Sequence, residues 1–314
     1  MRNQDLKNRF LKEGDLAVST QRTFMHILTK GARTEEDFNK DIYEFTPYEC
    51  DQLLFSFSAS SEGMVFVLIS CFKQYFDFCK LNNLDNIDEL NYFATITGLE
   101  TVRKYVNPTV IENKYITYEQ LLEIEGLCIN EQDAVIPELL FIGIKGESAE
   151  DLLGLDISQI KKIEFKTEDG KWNTEYKIMM KDREIPISER TYDLIIDAYE
   201  QIEYLKGNGE YEGKSKKLNL ESTSTRILKV ASRGVDSELS YGTLQSRMIR
   251  IKEYFGNPYL TMTNIWVSGM IHLAKQIKEE KGELKKEDWV FVNKRFGYPE
   301  QYWSQTKLRL KHLI

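Results

Sequence analysis

Between Glu62 and Leu81 apolar residues recur every third or fourth position, at Val65, Ile69, Phe72, Phe76 and Cys79, and at Ile160 that rule changes. A spacing of three and four defines one face of an α-helix, here thick enough for the centre of a bundle. From Ile160 the chain reads KKIEFKT, a polar EDGK turn, WNTEYKIMM and REIPIS, the pattern of three short strands. Helical spacing then returns and holds almost to the last residue. One β interlude within a helical sequence implies a mainly α fold with a small antiparallel β-sheet, of the α+β class.

Local start and stop signals place the other elements. Thr34 precedes EEDF and reads as an N-cap, with the carboxylates at the positive end of the helix dipole. Ser60 or Ser61 caps the helix that starts at Glu62. Pro108, in VNPTVIENK, marks the boundary, since proline and the residue before it resist helix. The expected organisation is a helical domain over 1–107, a linker over 108–116 and a second domain over 117–314. Thr117-x-x-Gln120 has capping-box spacing. Helices are expected over 134–142, over 189 to about 205 behind Ser188, and over 243–255, 264–280, 286–296 and 301–313. The stretch GNGEYEGKSKK between them reads as a glycine-rich loop.

Composition excludes several classes. The chain has 314 residues, 41% of them hydrophobic, with 18 Gly and 6 Pro, which removes collagen-like and Pro/Gly-rich disordered folds. Cys50, Cys71, Cys79 and Cys128 form no C-x-x-C pair, so neither structural zinc nor a disulfide framework is expected, and Cys71 and Cys79 read as core fillers. No Walker A, G-x-G-x-x-G, G-x-S-x-G or H-E-x-x-H occurs, and no cofactor or metal is expected. His272, in an apolar helix, reads as structural. The polar N-terminus and the shortness of the most apolar run, MVFVLI at 64–69, point to the cytoplasm and to no membrane partner.

A net charge of −8 argues against a phosphate-rich partner until it is resolved along the chain. From Glu35 to Glu100 there are 13 acidic residues against Lys40, Lys73 and Lys80. From Lys214 to Lys252 nine basic residues face three acidic ones, and from Lys285 onward seven face three. Asymmetry of this kind is what a one-faced phosphate-binding surface produces. The segment SYGTLQSRMIRIKEYF sets Leu244, Met248, Ile251 and Phe255 on an apolar face and Thr243, Ser246, Arg247 and Arg250 opposite. Arginine pairs bidentately with guanine edges, and hydroxyls bond bases or phosphates. Arg226, Lys229 and Arg233 lie in the same basic strip, and Lys171, beside Trp172 in the hairpin turn, is a further candidate contact. Basic residues near the N-terminus, Arg2, Lys7 and Arg9 among them, could close on DNA from the helical domain.

The order of elements, with four short motifs, resembles the tyrosine recombinase (phage integrase) family. GESAEDLLGLDISQI, at 146–160, is similar to its G-L-R-x-S-E-L-L-x-L-x-x-x-D-I segment, and REIPIS looks like the strand leading into v-P-l. TMTNIWVSGM, at 261–270, resembles T-P-H-x-L-R-H-S, and RFGY, at 295–298, stands where the family has L-G-H. The family cleaves DNA with a tyrosine nucleophile, while arginines, a hairpin lysine and histidines stabilise the phosphorane. Matched to that pattern, Ser148 replaces the first arginine, Thr263 the histidine, Trp266 the second arginine and Tyr298 the later histidine. The nucleophile should fall near Lys307, and Tyr302 is too early. Only Lys166 or Lys171 matches a catalytic role.

The resemblance therefore implies a two-domain recombinase fold without strand cleavage. It looks nearest to the repressors that maintain lysogeny in SPbeta-like Bacillus temperate phages. That implies double-stranded DNA operator sites as partners, a phage-encoded protein antagonist as the counterpart, and a bacterial cytoplasm as the setting. Oligomeric state stays open, with a monomer on an asymmetric site admissible. Two other readings stand beside it: an active or accessory integrase, and a protein-binding antirepressor that does not touch DNA.

Overall fold

A computed structural model of the chain describes residues 1–82, 84, 90–231 and 238–314. They divide into two compact units, Met1–Lys114 and Tyr115–Ile314.

The first unit is helical: α1 (Gln4–Glu13), α2 (Val18–Phe38), α3 (Pro47–Ser56), α4 (Glu62–Leu81), and the short α5 (Tyr92–Thr95), α6 (Leu99–Arg103) and α7 (Pro108–Lys114). Ser61 caps α4 by accepting from Met64 N at 3.2 Å, and Cys71 and Cys79 are buried in the core it anchors. Thr34 is not a cap. It lies buried inside α2, because Phe24, Ile27, Leu28 and Gly31 carry one apolar face past it and no breaker intervenes before Asn39, at φ 55°. Pro108 opens α7 rather than an extended stretch: a proline at the first helical position loses no intrahelical bond. Lys7 is fully buried and bonds Glu35 and Asp41, the latter at 2.9 Å, with Tyr75 Oη donating to Asp41 at 3.0 Å. It is thus withdrawn from the basic N-terminal surface. Burial holds the Glu35 carboxyl above its ordinary range, against the pull of the Lys7 charge.

The second unit begins with α8 (Tyr118–Gly126), α9 (Glu131–Phe141) and α10 (Glu150–Leu153), followed by β1 (Ile160–Lys166), β2 (Trp172–Met179) and β3 (Glu184–Ile187). The three strands form an antiparallel sheet in the order β1-β2-β3, with Ile160 opposite Ile178 and Ile178 opposite Ile185. These three isoleucines face the core. Next come α11 (Glu189–Glu200), β4 (Glu203–Leu205), β5 (Lys217–Asn219), α12 (Tyr241–Phe255), α13 (Met262–Lys281), α14 (Lys286–Arg295) and α15 (Trp303–Leu310). The helix expected to reach about 205 ends at Glu200, and the expected loop runs into β5 at Lys217. Tyr204 is drawn into the core, and its strand pairs Glu203 with Asn219 and Leu205 with Lys217. The Thr117–Gln120 capping box forms on both sides.

Helix α9 is buried along its whole length, and α8, α11 and α13 pack around it. Gly269 makes the α13 crossing possible, since a Cβ there would stand 1.8 Å from the Phe141 carbonyl oxygen. His272 fits its structural reading, stacked on Tyr118 at 5.5 Å and tilted against Phe141 at 5.4 Å. Gly269→Ala should lower stability by about 2–3 kcal/mol or more, because backbone rather than a flexible side chain must yield. Urea unfolding of the full chain measures this, and an unchanged midpoint would refute the close crossing.

Candidate nucleic-acid interface

Helix α12 starts at Ser240, whose hydroxyl accepts from Thr243 N at 3.2 Å, and ends at Gly256 in the left-handed region at φ 71°. It rests on three buried polar side chains at the head of α9. Gln132 donates from Nε2 to the Ala198 and Ile227 carbonyls, both at 2.6 Å, and accepts from Lys229 N at 2.8 Å. Asn130 holds both the N–H and the carbonyl of Leu205, at 2.7 and 2.9 Å. Asp133 accepts from Tyr204 Oη at 2.7 Å.

Arg247 completes this platform and does not face solvent. Its side chain is 5% exposed, with Nη2 donating to the Lys229 carbonyl at 3.0 Å and Nη1 to the Gln132 carbonyl at 3.4 Å. Its Nε stands 3.8 Å from Asp133 Oδ1, an ion pair without a hydrogen bond, and the guanidinium lies 4.9 Å over the Tyr204 ring. Burial pulls the Arg247 pKa down and pushes Asp133 up, while the charge of each partner opposes the shift. The helical wheel explains the correction. At 3.6 residues per turn, position 247 falls only about 70° from the centre of the Leu244–Met248–Ile251–Phe255 face. An arginine there reaches inward when an acceptor waits.

Lys229 is also withdrawn: it is buried, donates Nζ to the Tyr199 carbonyl and lies over that ring at 4.6 Å. Arg226 is largely engaged by the Gly154 carbonyl and by Glu238, at 3.0 Å. Lys217 pairs with Glu203 at 2.6 Å. Arg233 lies outside the described residues. The basic strip is thus much weaker in exposed charge than its composition suggests. What α12 presents outward is Tyr241, Thr243, Gln245, Ser246, Ile249 and the acidic Glu253, with Arg250 half-exposed and bonded through Nε to the Ser246 carbonyl at 3.3 Å. Gln245 and Ile249 were missed by the sequence reading, although the same wheel puts both outside the apolar face. At the hairpin turn Lys171 is exposed beside Asp169, at 3.1 Å, and Trp172 is 75% exposed.

The positions matched to recombinase catalysis hold an aromatic group. Trp266 meets Phe296 at 5.7 Å and Tyr298 at 6.2 Å, Tyr298 meets Tyr302 at 5.8 Å, and Lys145 Nζ lies 5.8 Å from the Trp266 ring. Ser148 is exposed at φ 37°, and Thr263 is exposed on the first turn of α13. A buried arginine that opens the REIPIS motif, Arg183, bonds Asp151 at 3.0 Å, Asp182 at 2.8 Å and the Gly143 carbonyl at 3.3 Å. Gly297 of RFGY gives it room, since a Cβ there would meet the guanidinium at 2.7 Å. Burial and the nearby Arg183 charge lower Arg295 to about 10. No described helix is long and apolar enough to cross a membrane.

The two units and their elements define a tyrosine-recombinase-like protein, a helical core-binding-type unit followed by a unit of catalytic-domain type. The chain belongs to the MrpR family: residues 1–80 match its N-terminal core-binding domain and residues 115–313 its C-terminal catalytic domain. It is 27% identical over 285 residues, 90% of this chain and 85% of the relative, to the SPbeta prophage-derived uncharacterized protein YopR of Bacillus subtilis (strain 168). A solved structure of XerA recombinase aligns over 98% of this chain and 93% of its own, at 13% identity and a TM-score of 0.38.

Replacing Arg247 with methionine leaves Asp133 buried without its counter-charge and should cost about 3–5 kcal/mol of stability. Arg250→Met, at the helix surface, should change it by less than about 0.5 kcal/mol. Urea denaturation of both variants measures the difference, and equal effects would contradict the inward placement of Arg247.

Proposed function

We propose that the chain is a sequence-specific double-stranded DNA-binding repressor of a temperate phage, using a recombinase fold without cutting DNA. The observation that carries this reading is the state of α12. It is fixed from behind by a buried hydrogen-bonded platform, while Gln245, Ser246, Ile249 and Arg250 are not covered by another element and Thr243 bonds only the Ser240 hydroxyl at the start of its own helix, at 3.0 Å. Glutamine suits adenine, isoleucine suits a thymine methyl, and arginine suits guanine or phosphate. The family's core-binding unit and the prophage origin of the YopR relative support the setting, a bacterial cytoplasm with operators in prophage DNA. Release from such sites calls for an antagonist, for which we propose a phage-encoded protein.

Strand cleavage is set aside on chemical grounds. Loss of one oxyanion stabiliser costs about 10²–10³ in rate, and Ser148, Thr263, Trp266 and Tyr298 replace four such groups together. Lys171 and its exposed neighbour Trp172 remain available to a DNA backbone.

Genomic DNA capture with purified protein should recover a set of related sites. On such a site Gln245→Ala and Arg250→Ala should each cost about 1–3 kcal/mol of binding free energy, with log K falling linearly in log salt. Recovery of no common site, together with capture of a single protein partner, would favour the antirepressor reading. A nicked suicide substrate should give no covalent adduct. An adduct that disappears in Tyr298→Phe or Tyr302→Phe would establish an active recombinase instead.

A further inference from the structure

We propose that the cavity beneath α12 binds a nucleoside phosphate. The cavity, about 630 Å³, lies between the β4–β5 ribbon and the first turns of α12, within the size range of small-molecule sites. Its apolar wall comes from aliphatic residues such as Leu220 and Leu239, and two tyrosine rings, Tyr204 and Tyr211, border it. Among the described residues three cations line it, but they are not equivalent. Arg247 is committed to Asp133 and to two backbone carbonyls. Lys206 lies over the Tyr211 ring at 5.3 Å, and Arg250 bonds only a helix carbonyl; neither has a carboxylate within 4.0 Å among the described residues. Glu238, the carboxylate at the lining among the described residues, is already paired with Arg226 at 3.0 Å.

Two cations with no carboxylate within 4.0 Å among the described residues, beside two flat rings and an aliphatic wall, match a phosphate joined to a planar base. Inorganic phosphate would satisfy the cations and leave most of the volume empty. The cavity also touches the clamp on α12, since Tyr204 both borders it and bonds Asp133 under Arg247. A bound base therefore alters how firmly α12 is held. That consequence rests on the DNA-binding reading; the site itself does not.

Isothermal titration calorimetry of the full chain, without DNA, with AMP, GMP, CMP and inorganic phosphate tests the site. At least one nucleotide should bind saturably at one site, in roughly the micromolar to millimolar range, and inorganic phosphate at least about tenfold more weakly. Lys206→Ala and Tyr211→Ala should each weaken nucleotide binding about tenfold with unchanged urea unfolding curves, as both side chains lie at the cavity mouth. Absence of saturable heat with all three nucleotides, or binding indifferent to both substitutions, would overturn the proposal. Because no operator is needed, the site can fail or hold independently of the repressor reading.

Discussion

The second unit depends on one buried amide. Gln132, at the head of α9, uses both N–H groups and its carbonyl oxygen to bind the end of α11 and the segment from Ile227 to Lys229. The same oxygen lies 3.4 Å from Arg247 Nη1, so that α12 is tied in as well. In a low-dielectric interior such bonds are worth making only if all are made, because each unpaired group pays its full desolvation. The flanking Asn130 and Asp133 extend the arrangement to the β4–β5 ribbon through Leu205 and Tyr204. A helix, a ribbon and an irregular segment are thereby held in one register, and α12 is presented as a rigid element.

At the matched catalytic positions the physics runs the other way. Phosphoryl chemistry needs fixed positive charge aimed at developing negative charge. Here the indole of Trp266 and the rings of Phe296 and Tyr298 fill that space, while Arg183 is neutralised by Asp151 and Asp182. Aromatic surface and paired charge lie close together here, with Lys145 Nζ 5.8 Å from the Trp266 ring.

Charge needs the same care. The strip from 214 to 252 is rich in lysine and arginine, but Arg247 and Lys229 are interior, and Arg226 and Lys217 are paired. Lys7 in the first unit is likewise interior, compensated by Glu35 and Asp41. Counting basic residues measures composition; the potential that DNA would meet depends on which of them keep an unpaired charge at the surface. A surface reduced in this way leaves more of any affinity to contacts with bases than to screened phosphate attraction.

The helices, their caps and the three-strand sheet were legible in the sequence because their causes are local. Ser61, Thr117 and Ser188 each act three residues ahead, and strand alternation has a period of two. Where local reading failed, the winning interaction was distant or opposed a simple rule. Thr34 was absorbed by an apolar face set by Phe24 and Ile27, and β4 exists because Tyr204 reaches Asp133, 71 residues away. The sequence by itself determined most of the helices, the three-strand sheet and their order. Only the tertiary structure decided which face of α12 is free, because the acceptors that turn Arg247 inward lie 115 and 18 residues from it and become neighbours only in the folded chain.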